Sequence, residues 1–225
     1  MKSCTICNGL KKVVSVVDGE PVAAPCPNCQ NSFEVDDLRR RGVPGRFAGS
    51  TFDTFVTDTS TLRAAMDRCK EWSMNPKGWL VVSGPPGVGK THLLCAIAHA
   101  NRRSTYVSSV DLFARERRRI EDKSITLPDY AAFQGILLFD ELGAGMATDW
   151  ERDVVHRLVA MRYDDGLPTA FATNFRVGTG SPRSLERSGR ILPHTSSRIL
   201  GESQIIEIDA DDRRGREPKR IFSGG

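Results

Sequence analysis

The chain has 225 residues, 39% of them hydrophobic and 27% charged, with a formal net charge of +4. That size and balance predict a sizeable soluble globular domain with a smaller companion, and the mild positive excess permits a nucleic-acid partner without requiring one. No apolar run approaches the roughly 20 residues of a membrane span, and MKSCTICNGL lacks the apolar core of an export signal, so a cytoplasmic protein with no membrane association is expected.

The first element is a pair of cysteine knuckles, Cys4-x2-Cys7 and Cys26-x2-Cys29. Four thiolates complete a tetrahedral Zn²⁺ shell and leave no open position for catalysis, so a structural zinc ribbon over residues 1–32 is predicted. Lys11–Val17 and Pro21–Ala24 can pair as a hairpin between the knuckles. Disulfides are disfavoured without an export signal, and two pairs at ribbon spacing argue against one catalytic dithiol. Residues 33–60 turn charged and glycine-rich (DDLRRRGVPGRFAGSTFDTF) and are predicted to be a linker or docking segment. Cys69 and Cys95 fall in apolar helical patterns as core residues.

From Leu62 the pattern alternates helix and strand. A helix over Leu62–Trp72 precedes the strand WLVVSG, a helix over His92–Arg102, and a strand over Thr105–Ser109. A helix N-capped by Asp111 then runs toward Ile120, followed by the strand GILLFD. Trp150, Val154, Leu158 and Met161 mark one face of a long helix, and PTAFATN and QIIEID are the last two strands. Such alternation predicts an α/β fold, a five-stranded, mostly parallel sheet flanked by helices over residues 61–210, with 211–225 a basic tail too short for a helical lid.

The chemistry begins where the first of these strands ends. Gly84, Pro85, Pro86, Gly87, Val88, Gly89, Lys90 and Thr91 fit G-x-x-x-x-G-K-[ST] at every required position, between a strand and a helix. Glycines let backbone N–H groups turn inward around phosphates, and the helix N-terminus adds its positive dipole end. Lys90 would reach the β- and γ-phosphates and the Thr91 hydroxyl would ligate Mg²⁺. His92, next in the helix, completes the candidate ATP contacts. Asp140 closes an apolar strand and would hold the same Mg²⁺, while Glu141 is placed to polarise an attacking water. Asn174 ends the fourth strand, where its amide could orient that water. Arg198, ahead of the fifth strand, is a candidate arginine finger for a neighbouring subunit's nucleotide.

These stretches resemble the DnaC/DnaI/IstB branch of the AAA+ ATPases, bacterial and phage helicase loaders and transposition ATPases. RGVPGRFAGSTFDTF is similar to the segment leading into that family's ATPase domain, and GKTHLLCAIA to its phosphate loop. YVSSVDLF is similar to its second strand, and LLFDELGAGMATDWERDVVHRLVAMRYDDGLPTAFATN to the stretch from its Walker B motif to sensor 1. The four-cysteine ribbon is similar to the zinc-binding region of some loaders that contacts the helicase. The resemblance implies ATP sites shared between subunits, a hexameric replicative helicase as partner, and delivery of that ring onto single-stranded DNA. It also implies a DNA-tracking element at FARERRRIEDKSITLPDYAAF, where Arg115, Arg117, Arg118, Arg119 and Lys123 supply phosphate-directed charge and Tyr130 or Phe133 could stack or pack. A transposition ATPase selecting target DNA shares the core motifs, but the ribbon favours a loader. A small-molecule kinase is disfavoured by Glu141, Asn174 and the lack of an evident acceptor pocket.

Overall fold

The computed structural model describes residues 6–7, 12–17, 20–118, 127–146, 148–178, 184–185 and 187–213. They fall into two compact units, Met1–Ala48 and Gly49–Gly225.

In the first unit β1 (Lys12–Val17) and β2 (Glu20–Pro25) form an antiparallel hairpin with Lys12 opposite Pro25. The helix α1 (Pro27–Arg40) follows, with Pro at its start, where a missing N–H costs nothing. It runs straight through the division expected at 32/33. The charged run hid it; in its described second half Leu38 is fully buried among charged neighbours. Arg41 caps α1 and pairs with Asp37 at 3.0 Å, and Gly42 (φ 88°) ends it in the left-handed region.

The second unit is a five-stranded parallel sheet. Its strands are β3 (Trp79–Ser83), β4 (Ser104–Ser108), β5 (Ile136–Leu142), β6 (Thr169–Thr173) and β7 (Ser203–Glu207), in the order β4-β5-β6-β3-β7. Central β3 and β6 are buried at every residue, as strands covered on both faces must be. The helices are α2 (Ser60–Met74), α3 (Lys90–Ala100), α4 (Ser109–Arg118), α5 (Leu127–Ala132), α6 (Asp149–Asp164) and α7 (Pro193–Glu202). One continuous core joins Val81, Val107, Leu137, Phe139, Val155, Leu158 and Phe171 across the sheet. Cys69 and Cys95 are fully buried, and burial pushes the Cys69 thiol up to about 12, far from thiolate formation at neutral pH. No helix among the described residues is long and apolar enough to cross a membrane.

Two local expectations are corrected. Asp111 is not the cap of α4: the Ser108 hydroxyl accepts from Asp111 N–H (3.1 Å) and donates to its carboxylate (2.8 Å), so the helix starts earlier. The buried face of α6 is Val154, Val155, Leu158, Val159 and Arg162, whereas Trp150 and Met161 are about 40% exposed (39% and 40%). Trp150 instead tilts against Phe113 and under the Arg117 guanidinium.

Arg162 is part of that buried face. Its guanidinium is 1% exposed and meets no carboxylate in its hydrogen bonds. Nε donates to Thr169 Oγ1 (2.8 Å), Nη1 to the carbonyls of Tyr130 (2.9 Å) and Phe133 (3.0 Å), and Nη2 to those of Gly135 and Pro168 (2.8 Å each). One side chain thus ties α6 to the end of α5 and to the starts of β5 and β6. Burial lowers its pKa to about 10, which leaves it protonated at neutral pH. Arg162→Met strands these carbonyls and should cost at least about 3 kcal/mol in urea unfolding. A loss under about 1 kcal/mol would remove Arg162 from this role.

Candidate functional site

The C-terminal ends of β3, β6 and β5 converge on one edge of the sheet. Ser83 pairs with Thr173, and Gly84 N–H donates to the Thr173 carbonyl (3.3 Å), so the phosphate loop leaves β3 beside the end of β6. The loop turns through Gly87 (φ 84°) and Gly89 (φ 97°). Gly89 is also the N-cap of α3 and offers no side-chain acceptor, so the first N–H groups of an 11-residue helix face the loop with no side chain capping them. The Lys90 ammonium lies inside the loop, 8% exposed, donating to the carbonyls of Gly84 and Pro85 (2.7 Å each).

Asp140 stands at the same edge, 4% exposed. Its Oδ2 accepts from Thr91 Oγ1 and from the Tyr106 hydroxyl (2.7 Å each), and its Oδ1 accepts from Glu141 N–H (2.8 Å). Burial first, then the Asp140 charge, raises the Tyr106 pKa, so this hydroxyl is a fixed donor. Between Phe139/Phe171 and Leu142/Thr173 strand β5 advances three residues while β6 advances two. The extra residue is a bulge, and Glu141 occupies it at φ 60°, a left-handed conformation rare for a non-glycine residue. The bulge places Glu141 in solvent while its neighbours Asp140 and Leu142 stay buried. The Ser109 hydroxyl braces it, donating to the Glu141 carbonyl (3.1 Å). Asn174 is exposed just beyond β6, whose Thr173 hydroxyl donates to the Leu142 carbonyl (2.7 Å). Loop, carboxylates and Asn174 thus share one sheet edge. An uncapped helix N-terminus, an enclosed ammonium and a hydroxyl–carboxylate pair are the donor set that a magnesium–nucleotide requires.

Comparison with known proteins agrees with this chemistry. The family model for IstB-like ATP binding protein matches residues 64–218. The chain belongs to the IstB-like ATP-binding family. Among solved structures it is similar to the DnaC helicase loader, with a TM-score of 0.62 and 23% identity over 72% of this chain and 98% of that one. It is also similar to DnaI, with a TM-score of 0.59 and 23% identity over 78% and 100%. A replication initiator DnaA bound to AMPPCP and single-stranded DNA matches with a TM-score of 0.60 and 21% identity over 75% and 51%. At these identities the likeness is one of fold. Curated proteins give no match.

Other expected residues sit elsewhere. The ring of His92 turns from the loop toward the entering chain. Its Nε2 lies 2.9 Å from the Thr51 carbonyl, which can only accept and so puts the proton on that nitrogen, and its ring meets Phe55 edge-on at 5.3 Å. Arg198 lies in α7 with its guanidinium 5.4 Å from the centre of the Tyr163 ring, and Tyr163 packs edge-on against Trp79. Trp79 begins β3, so Arg198 lies toward the edge of the sheet opposite its own phosphate loop. Arg117 is bound to Glu151 (2.8 Å), itself half of the Thr148–Glu151 capping box of α6. Tyr130 is 3% exposed in the core and cannot stack on a base. Arg115 and Arg118 lie on α4, while Arg119 and Lys123 lie outside the described residues.

Sequence reasoning missed the segments that grip the loop. A Cβ on Gly89 would stand 2.6 Å from the Phe55 ring, and one on Gly87 would run into the Asp212 carboxylate. Arg213, expected in a basic tail, donates its N–H to the Gly87 carbonyl (3.2 Å), and its guanidinium binds the Val56 carbonyl (3.2 Å) and the Asp58 carboxylate. A cavity of about 1010 Å³ opens beside the loop, lined by Asp58, Thr59, Leu62, Pro85, Pro86 and 209–213. The nearest signal was RGVPGRFAGSTFDTF, which ends in Phe55 but reads as a linker or docking segment; the aspartates carry no motif.

The bulge makes a prediction that separates strain from chemistry. Glu141→Gly should keep or raise stability, by up to roughly 1 kcal/mol, because glycine accepts the left-handed conformation. Glu141→Gln should leave stability unchanged. Denaturant melts check this, and a loss above about 1 kcal/mol in the glutamine variant would show that the carboxylate has a structural role.

Proposed function

We propose that this protein is an ATP-hydrolysing helicase loader, which binds a hexameric replicative helicase and delivers it onto single-stranded DNA. The observation that carries the ATPase reading is the Thr91–Asp140 hydrogen bond beside the glycine loop with Lys90 enclosed. Lys90 and the N–H groups from Gly87 to Thr91 would hold the phosphates, and Thr91 and Asp140 would hold magnesium. Magnesium, when bound, offsets phosphate charge and fixes the geometry of the transferring group. Glu141, set out from the strand by the bulge, orients and deprotonates the attacking water, and Asn174 bonds to it. The cavity beside the loop takes the nucleoside, and its aspartates suit hydroxyl and amine donors better than phosphate oxygens.

The loader reading draws on the likeness to DnaC and DnaI, each covered almost end to end. The small first unit adds to it. Pairing of Lys12 with Pro25 brings the chain ends that carry the two cysteine pairs to one end of the hairpin, and Cys7 and Cys26 are both buried. Cys4 and the Cys29 side chain lie outside the described residues, and among the described residues no three metal-ligating groups cluster. We assign Zn²⁺ to Cys4, Cys7, Cys26 and Cys29 as a structural ion. Metal analysis should give one zinc per chain, lost in Cys26→Ser, while nucleotide binding persists. Arg198 reaches a neighbouring subunit's nucleotide in the assembled form, and Arg115 and Arg118 contact DNA phosphates.

The decisive experiment mixes the full chain with a replicative helicase, with and without ATP, and reads mass by light scattering after gel filtration. A defined complex that Glu141→Gln stabilises supports the loader. The family model's IstB-like character carries the second reading, a transposition ATPase selecting target DNA. Self-assembly on duplex DNA with no helicase complex would select it.

A further inference from the structure

Of the three donors on Asp140, Tyr106 is the one that lies outside the phosphate-loop and Asp-Glu motifs, at the start of YVSSVDLF. It lies on β4, two residues before Ser108, which pairs with Asp140 on β5. The side chain is 4% exposed, and its hydroxyl donates to Asp140 Oδ2 at 2.7 Å. A buried tyrosine hydroxyl needs a partner, and a carboxylate makes that bond charge-assisted and short. The Thr91 hydroxyl donates to the same oxygen at the same distance. Its proton thereby points at Asp140, so the lone pairs of Thr91 Oγ1 point away from that carboxylate. With Glu141 N–H on Oδ1, the carboxylate has a donor on each oxygen and a second donor on Oδ2. Two of those donors come from residues expected to act on nucleotide, and the third comes from Tyr106.

We propose that Tyr106 is a positioning residue for the magnesium site. Its hydroxyl fixes the rotation of the Asp140 carboxylate, and through it the lone-pair direction of Thr91 Oγ1, the two groups that would hold the metal. This rests on the reading that Thr91 and Asp140 hold magnesium. Outer-shell hydrogen bonds of this kind are worth about 10–100-fold in metal affinity. A phenyl ring keeps the packing of β4 against the sheet, so Tyr106→Phe removes the bond and little else.

The test uses the full chain and a fluorescent ADP analogue, and measures the Mg²⁺ concentration that half-saturates metal-dependent nucleotide binding. Tyr106→Phe should raise that concentration about 10–100-fold, leave metal-free nucleotide binding unchanged, and have no further effect in an Asp140→Asn background. An unchanged requirement in Tyr106→Phe overturns the proposal alone. A wild-type chain whose nucleotide binding ignores Mg²⁺ overturns the underlying reading and the proposal together. The chain has 3 tyrosines, so 3-fluorotyrosine labelling gives a readout that keeps the hydroxyl even if Tyr106→Phe folds poorly. The ¹⁹F signal of Tyr106, assigned with Tyr130→Phe and Tyr163→Phe, should shift when Mg²⁺ is added to the nucleotide complex. A signal indifferent to Mg²⁺ overturns the proposal as well.

Discussion

A carboxylate that is 4% exposed must be satisfied by its surroundings, and Asp140 is satisfied by donors from three parts of the chain. Thr91 comes from the first turn of α3, Tyr106 from β4, and the Glu141 amide from the bulge in β5. Each bond fixes something the site needs. The first ties the phosphate-loop helix to the strand two places away in the sheet. The second ties the edge strand to that strand, and the third sets the turn that carries Glu141 outward. The left-handed backbone at Glu141 is a local cost of about 1–3 kcal/mol that the surrounding bonds hold in place.

The loop itself is held from both sides. Phe55 and His92 join it to residues 51–55, where the chain enters the unit, and Arg213 joins it to the segment after β7. Arg213 also reaches Val56 and Asp58, so the entering and leaving segments clasp each other beside the cavity. Glycine at 87 and 89 is required twice over, by positive φ and by the carboxylate and ring that fill the space of a Cβ.

Much of this was legible in the sequence. Strands β3 and β5 are apolar runs ended by a glycine loop and by an acidic pair, patterns with a direct physical meaning. What was not legible came from long-range packing. Helix α1 is polar in its first half and charged in its second, so periodicity did not separate it from a linker. Trp150 looked like core but is 39% exposed and packs on Phe113 and Arg117 of α4. A tyrosine on a buried strand reads as packing, and only the register of β4 against β5 brings Tyr106 to Asp140. The same holds for Phe55, Asp212 and Arg213, which meet the phosphate loop from distant points in the chain. A bulge that sets a glutamate at φ 60° has no signature in residue type at all.

The family places this chain among ATP-binding proteins, and the sheet edge brings together the groups we propose for hydrolysis. The most direct measurement is steady-state ATP hydrolysis by the full chain, with and without Mg²⁺, beside the Lys90→Ala variant. The account predicts turnover that requires Mg²⁺ and falls at least about 100-fold when the ammonium is removed from the loop. Turnover that ignores Mg²⁺, or that survives loss of Lys90, would contradict it.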